Sequence, residues 1–141
     1  MTHYTSIEQS KHLLESGLSP ESADMEYICL KETNAAMSSV PFVKDKTEVE
    51  NSALHALCYR VPCWSVGALL EVMPKEITDE YDSKGWLGMC AINVPTWGWI
   101  IYYSNDDDSL SMHEEQGNTL LEAAYKMLCW LLENGYIKKK V

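Results

Sequence analysis

Apolar and polar residues along the chain follow two different periods, and each change of period marks an element. The first segment, Ser6 to Gly17, has the form of a capped helix. Ser6 with Gln9 three residues later makes a capping box, Ile7, Lys11 and Leu14 recur among polar residues, and Gly17 supplies the stop. A helix is predicted over about residues 6 to 16, and Ser19 before Pro20 predicts a single helical turn. Residues 31 to 47 show no period and read as a loop, long for a small domain and flexible, with Pro41-Phe42-Val43 touching the body. Residues 48 to 60 carry Ala53, Leu54, Ala56 and Leu57 and read as helix, stopped by Pro62. Ser65 caps a second helix in which Val66, Leu69, Leu70 and Met73 fall at i, i+3, i+4 and i+7, and Pro74 closes it. Two strands follow, Trp86 to Val94 and Trp99 to Ser104, joined through Pro95-Thr96-Trp97-Gly98 as a hairpin. Residues 104 to 118 read as a polar loop. Thr119 with Glu122 then opens a long helix. Leu120, Leu121, Ala124, Leu128, Leu131 and Leu132 form its apolar stripe, Asn134-Gly135 ends it, and Tyr136-Ile137 fold back to pack.

This order predicts one α+β domain over residues 1–141, with a small antiparallel sheet around the central hairpin, covering helices and a long C-terminal helix. A two-stranded sheet is marginal in water. Further strands must come from a segment such as Met25 to Leu30 or from a second chain, which favours a homo-oligomer.

The 141 residues, 46% of them apolar, suffice for one real core. The net charge is −10 and Arg60 is the only arginine, with one basic run at Lys138 to Lys140. Duplex nucleic acid, which requires clustered cations, is therefore not an expected partner. No apolar run approaches the roughly 18 residues of a membrane span, and the first residues lack a signal-peptide pattern. A cytoplasmic protein without a membrane partner is expected. Five cysteines without a C-x-x-C pair read as reduced thiols acting as small hydrophobes.

Candidate chemistry is sparse. Asp106, Asp107 and Asp108 lack the alternation, glycine and glutamate of a calcium loop. His113-Glu114-Glu115 lacks the second histidine of a zinc-hydrolase helix, and no nucleophile elbow, Walker loop or dinucleotide turn occurs. His55 lies three residues before Cys58 and could act as its base only if both sit on one helix face. Asp79, Glu80 and Asp82 beside Tyr81 read as a solvated acidic turn. No catalytic residue, metal or cofactor is assigned, and no enzyme is expected. The aromatic stretch Val94 to Asn105 is the strongest binding feature. As a strand it points Trp99, Ile101 and Tyr103 one way and Ile100, Tyr102 and Ser104 the other. Cross-strand packing alone explains such a stretch; a stacking platform is the sharper reading. Trp97, Trp99 and Tyr102 are then the stacking residues, Arg60 grips a phosphate, and Ser65 donates a hydrogen bond.

Three stretches, residues 5–27, 61–74 ("VPCWSVGALLEVMP") and 119–137, resemble an uncharacterised family of small proteins carried by phages, prophages and mobile elements of gut Bacteroidetes. The chain departs from it by a longer insertion between the first two blocks. The resemblance implies no activity and no catalytic residues, but it implies a phage accessory setting, in which small oligomeric proteins include sponges for nucleotide immune signals. The leading expectation is a non-enzymatic, homo-oligomeric anti-defence protein that sequesters a host nucleotide-derived signal. The alternatives are an acidic module that inhibits or adapts a host protein through a basic surface, and a small hydrolase.

Overall fold

In the computed structural model, which describes residues 3–44, 56–93, 96–105 and 111–139, the first capping box forms. Ser6 Oγ accepts from the Gln9 N–H at 3.1 Å, Gln9 Oε1 accepts from the Ser6 N–H at 2.9 Å, and α1 (Ile7–Glu15) follows. Gly17 closes it with a φ of 102°, a conformation glycine adopts without steric cost. The buried side of α1 is Ser10 and Leu13, one position away from the expected stripe of Ile7, Lys11 and Leu14. Ser10 tolerates burial because its hydroxyl bonds Thr5 Oγ1 at 2.8 Å. Thr5 also accepts from the Trp64 N–H at 3.1 Å and from the Tyr27 hydroxyl at 2.9 Å, tying the N-terminus to two strands. The expected single turn is a 3-10 turn at Pro20–Ser22.

The first sheet has three antiparallel strands: β1 (Met25–Leu30), β2 (Phe42–Val43) and β3 (Cys58–Cys63), in the order β2-β1-β3. The segment Met25 to Leu30 is thus the additional strand that the hairpin argument called for. The described part of the long loop, residues 31–44, is tied to β1 by Met37 N–H to Ile28 O at 2.8 Å, by Leu30 N–H to Ala35 O at 2.9 Å and by β2 itself. The helix expected over residues 48 to 60 is corrected where it is described, since Cys58–Arg60 are strand; residues 45–55 lie outside the described part. Cys58, Val61 and Cys63 are buried while Tyr59 and Arg60 are partly exposed, a packing that a strand against β1 satisfies. Pro62 sits opposite Glu26, one residue out of phase with the bonded pair of Lys31 and Leu57, so its missing N–H would have faced away from β1.

α2 (Val66–Val72) starts at Ser65, whose hydroxyl accepts from the Ala68 N–H, as its cap predicts. A four-stranded antiparallel sheet follows, in the order β4-β5-β6-β7: β4 (Glu76–Thr78), β5 (Lys84–Ile92), β6 (Gly98–Ser104) and β7 (Ser111–Gly117). β5 and β6 are the expected hairpin. β7 corrects the expected polar loop. Residues 111–117 escape a period-2 search because the positions that face the helices are polar: His113 and Glu115 pair at 2.6 Å, and the His113 ring lies flat on Trp130 at 3.9 Å. α3 (Leu120–Glu133) packs over β6 and β7. Its cap is Thr119, but the reciprocal bond goes one residue further back, from the Asn118 N–H to Glu122 Oε2 at 2.9 Å. That bond holds the Glu122 carboxyl below its ordinary range.

The main core lies between this sheet and the helices. It joins Leu13, Trp64, Leu69, Met73, Ile77, Ile101 and Tyr103 to the buried side of α3, while Tyr27, Cys29, Val61 and Cys63 form a smaller core under α1. Gly117 is where β7 meets α3: a Cβ there would stand 2.5 Å from the Ala123 nitrogen and 2.8 Å from Glu122 Cβ. Gly117→Ala is expected to lower stability by about 1–3 kcal/mol, read from the urea midpoint, because backbone rather than a flexible side chain must yield. Among the described residues no helix is long and apolar enough to cross a membrane.

Candidate functional site

The five residues expected to bind a ligand are divided between the two sheets. Arg60 lies on β3, where it pairs with Glu26 at 2.7 Å. Ser65 caps α2, and its N–H and hydroxyl both donate to the Asp24 carboxylate. Trp99 packs against the main core from the helix side of β6. Tyr102 points to the opposite side of the same strand, so the sheet itself separates it from Trp99. Trp97, 75% exposed, stands in the turn before β6. The structure therefore does not bring the stacking, phosphate-gripping and hydrogen-bonding residues to one place.

Two other features have the concavity or exposure that binding needs. The first is the open side of the four-stranded sheet. Trp86, Cys90, Ile100 and Tyr102 share it, and the Tyr102 ring lies across Gly88, where an added Cβ would meet its ring carbons. Trp86 is the member that sequence reading missed; its place at even spacing with Gly88 and Cys90 is the signal that finds it. Glu114 stands directly opposite Tyr102.

The second feature is a cavity of about 530 Å³ between the β4–β5 turn and the end of α3, lined by Thr78, Asp79, Glu80, Tyr81, Asn134, Gly135 and Tyr136. Asp79 Oδ1 accepts the N–H groups of Tyr81 and Ser83 at 2.9 Å each, which fixes the turn. Tyr81 is 80% exposed. Tyr136 is braced from behind by Trp130, with ring centroids 5.2 Å apart, and Trp130 is stacked in turn on His113. The wall therefore combines two carboxylates, two aromatic rings and the C-terminal end of a helix 14 residues long, whose carbonyls carry partial negative charge. Such a wall attracts a cation and repels a phosphate. Asp79, Glu80 and Asp82 form the solvated turn expected from the sequence, with Glu80, Tyr81 and Asp82 exposed. Nothing local reveals that α3 ends against it.

The thiols offer little nucleophilic character. Burial raises Cys29, Cys63 and Cys129 above the ordinary thiol range, which keeps them protonated. Cys58 is buried and its thiol approaches Met37 Sδ at 3.7 Å; His55, the expected partner, lies outside the described residues. Among the described residues there is no group of three or more His, Cys, Asp or Glu able to hold a metal ion. Comparisons with protein-family models, with curated proteins and with solved structures gave no match.

Proposed function

We propose that the protein is a non-enzymatic accessory binding module of a phage or mobile element, which engages a basic surface of a host protein. The observation that carries this reading is the acidic, aromatic cavity between Asp79, Glu80, Tyr81 and Tyr136. A lysine or arginine side chain of the partner enters it, meets the carboxylates and the end of α3, and lies against the tyrosine rings. The net charge of −10 steers the approach. The resemblance to mobile-element proteins supports the setting.

A second reading is favoured by one specific observation. The Tyr102 ring spread over Gly88 beside Trp86 offers a flat apolar surface on which a planar ligand can stack, as the sequestration of a nucleotide-derived signal requires. Glu114 opposite Tyr102 disfavours phosphate there, which ranks this reading second.

Calorimetric titration with an arginine-rich peptide tests the first reading. Binding is expected to weaken with added salt and to fall about tenfold in Tyr136→Ala and in a Glu80→Gln/Tyr81→Ala pair, the loss that cation–π and rim-charge contacts of this size produce. Binding that is indifferent to these substitutions sinks it. Mass spectrometry of small molecules released on denaturing protein incubated in host lysate tests the second reading, which predicts a stoichiometric, unaltered nucleotide that Trp86→Ala no longer retains.

A further inference from the structure

β4 pairs with only the first part of β5, at Lys84, Gly85 and Trp86. One further bond, Leu87 N–H to Lys75 O at 2.9 Å, is the last on that side before the chain turns back towards α2. The ladder fixes which backbone groups are left. Asp79 with Ser83 and Lys75 with Leu87 bond in the same phase, so the odd residues of β5 direct their N–H and C=O towards the β4 side. Beyond Leu87 this applies to Met89 and Ala91. Both lie in β5, and their outward N–H and C=O groups have no partner among the described residues.

Open strand edges are ordinarily blunted by charge, by proline or by a covering element. Among the described residues this edge has none of these. Met89, Cys90 and Ala91 are exposed, and the sequence from Gly85 to Asn105 contains no Asp, Glu, Lys, Arg or His, although 23% of the chain is charged. The gap is also short: it runs from Gly88 to Ile92, where β5 ends, and Lys75 bounds its other side.

We infer that this edge is an interface with a second copy of the chain, formed by antiparallel pairing of residues 88–92 across a twofold axis at Cys90. The occupant follows from symmetry and charge. Two outward-bonding residues placed equally on either side of Cys90 are self-complementary: Met89 of one copy exchanges both backbone bonds with Ala91 of the other, and the reverse, giving four hydrogen bonds. Two molecules each of charge −10 repel, so they can meet closely only where the surface is uncharged, as it is here. A basic partner, by contrast, gains nothing from an edge without a carboxylate. The pairing joins the two four-stranded sheets into one continuous sheet of eight. It does not rest on the cation-cavity reading, which concerns the other end of β4.

The register carries its own reporter. Cys90 and its symmetry mate would be directly opposed in a non-hydrogen-bonded pair, with Cα atoms about 4.5 Å apart, within reach of a disulfide. Cys90 is the exposed cysteine; the other four are buried or partly buried. The full chain is therefore treated with diamide, which oxidises two thiols to a disulfide and is itself reduced to the hydrazine. Peptide mapping of the product is combined with light scattering of the reduced protein. The expected result is a reduced dimer and, after diamide, a dimer linked through Cys90 to Cys90. Ala91→Pro removes an outward N–H without touching the β6 ladder, and Ala91→Lys places a charge on the edge. Each is expected to lower both dimer affinity and cross-linking yield at least tenfold, while Cys90→Ser abolishes only the cross-link. A reduced monomer throughout the micromolar range, a dimer indifferent to both Ala91 substitutions, or a disulfide through another cysteine overturns the proposal. If the Ala91 variants do not fold, the wild-type cross-link map and the light scattering decide.

Discussion

Replacing Trp64 by alanine is expected to destabilise the protein by about 3–5 kcal/mol, the cost of deleting a large aromatic from a core that cannot collapse around the space. Trp64 is fully buried and follows directly on β3, so its indole carries the end of the first sheet into the main core with Leu69, Ile101 and α3. Its polar groups are committed too. The indole N–H donates to Ser22 Oγ at 2.9 Å, and the backbone N–H and C=O bond Thr5 at 3.1 and 2.9 Å. A domain of this size holds about 5–15 kcal/mol in all, so the variant is expected to be partly unfolded at 37 °C. Far-UV circular dichroism across a urea series measures this. Trp64→Phe keeps most of the volume and loses one hydrogen bond, so its midpoint should fall far less, by the equivalent of about 1 kcal/mol. Equal losses for the two variants would place the weight on the hydrogen bond and contradict the packing account.

Replacing Arg60 by methionine is expected to cost about 3 kcal/mol, and the reason is Glu26 rather than Arg60. The Glu26 side chain is 5% exposed and its carboxylate receives the guanidinium at 2.7 Å. Removing the cation leaves a buried charge without compensation, which is the costly way to break such a pair. The double replacement Arg60→Met/Glu26→Gln should recover most of the loss, because an ion pair and a neutral pair of similar volume are close in energy when both partners change together. The same measurement bears on the phosphate-gripping role expected from the sequence. An arginine held ready for a ligand would be nearly neutral to stability when removed. Recovery in the double variant identifies it as part of the β1–β3 sheet.

Elements whose signals are local were legible in the sequence. Ser6 with Gln9, Ser65 with Ala68, and Thr119 with Glu122 each place a side-chain acceptor three residues before an orphan N–H, and all three bonds form. The hairpin of β5 and β6 was legible because β6 is aromatic and β-branched, β5 is an uncharged apolar run after Lys84, and the two lie next to each other in the chain. β3 and β7 were not. β3 pairs with a strand about 30 residues earlier, and only that partner reveals why Val61 and Cys63 face the smaller core with Tyr27 and Cys29 while Cys58 is buried on the other side of the strand. β7 turns His113 and Glu115 towards α3, a placement that polarity argues against until the stacking of His113 on Trp130 and the hydrogen bond between His113 and Glu115 are seen.

The candidate site divides in the same way. Composition by itself determined that the chain is acidic, that its aromatic residues cluster between Trp86 and Tyr103, and that a charge-free stretch runs through that cluster. Helix caps and periodicity determined an α+β fold with a long last helix. Tertiary structure decided what these features are for. It put Trp99 and Tyr102 on opposite sides of one strand, committed Arg60 to Glu26 and Ser65 to Asp24, brought Tyr136 from α3 against the acidic turn at Asp79, and left Met89 and Ala91 at an open edge. The physical reason is range. Capping and amphipathic patterning are settled within a few residues, whereas a cavity wall, an ion pair between strands and the unpaired half of a ladder exist only once distant segments have met.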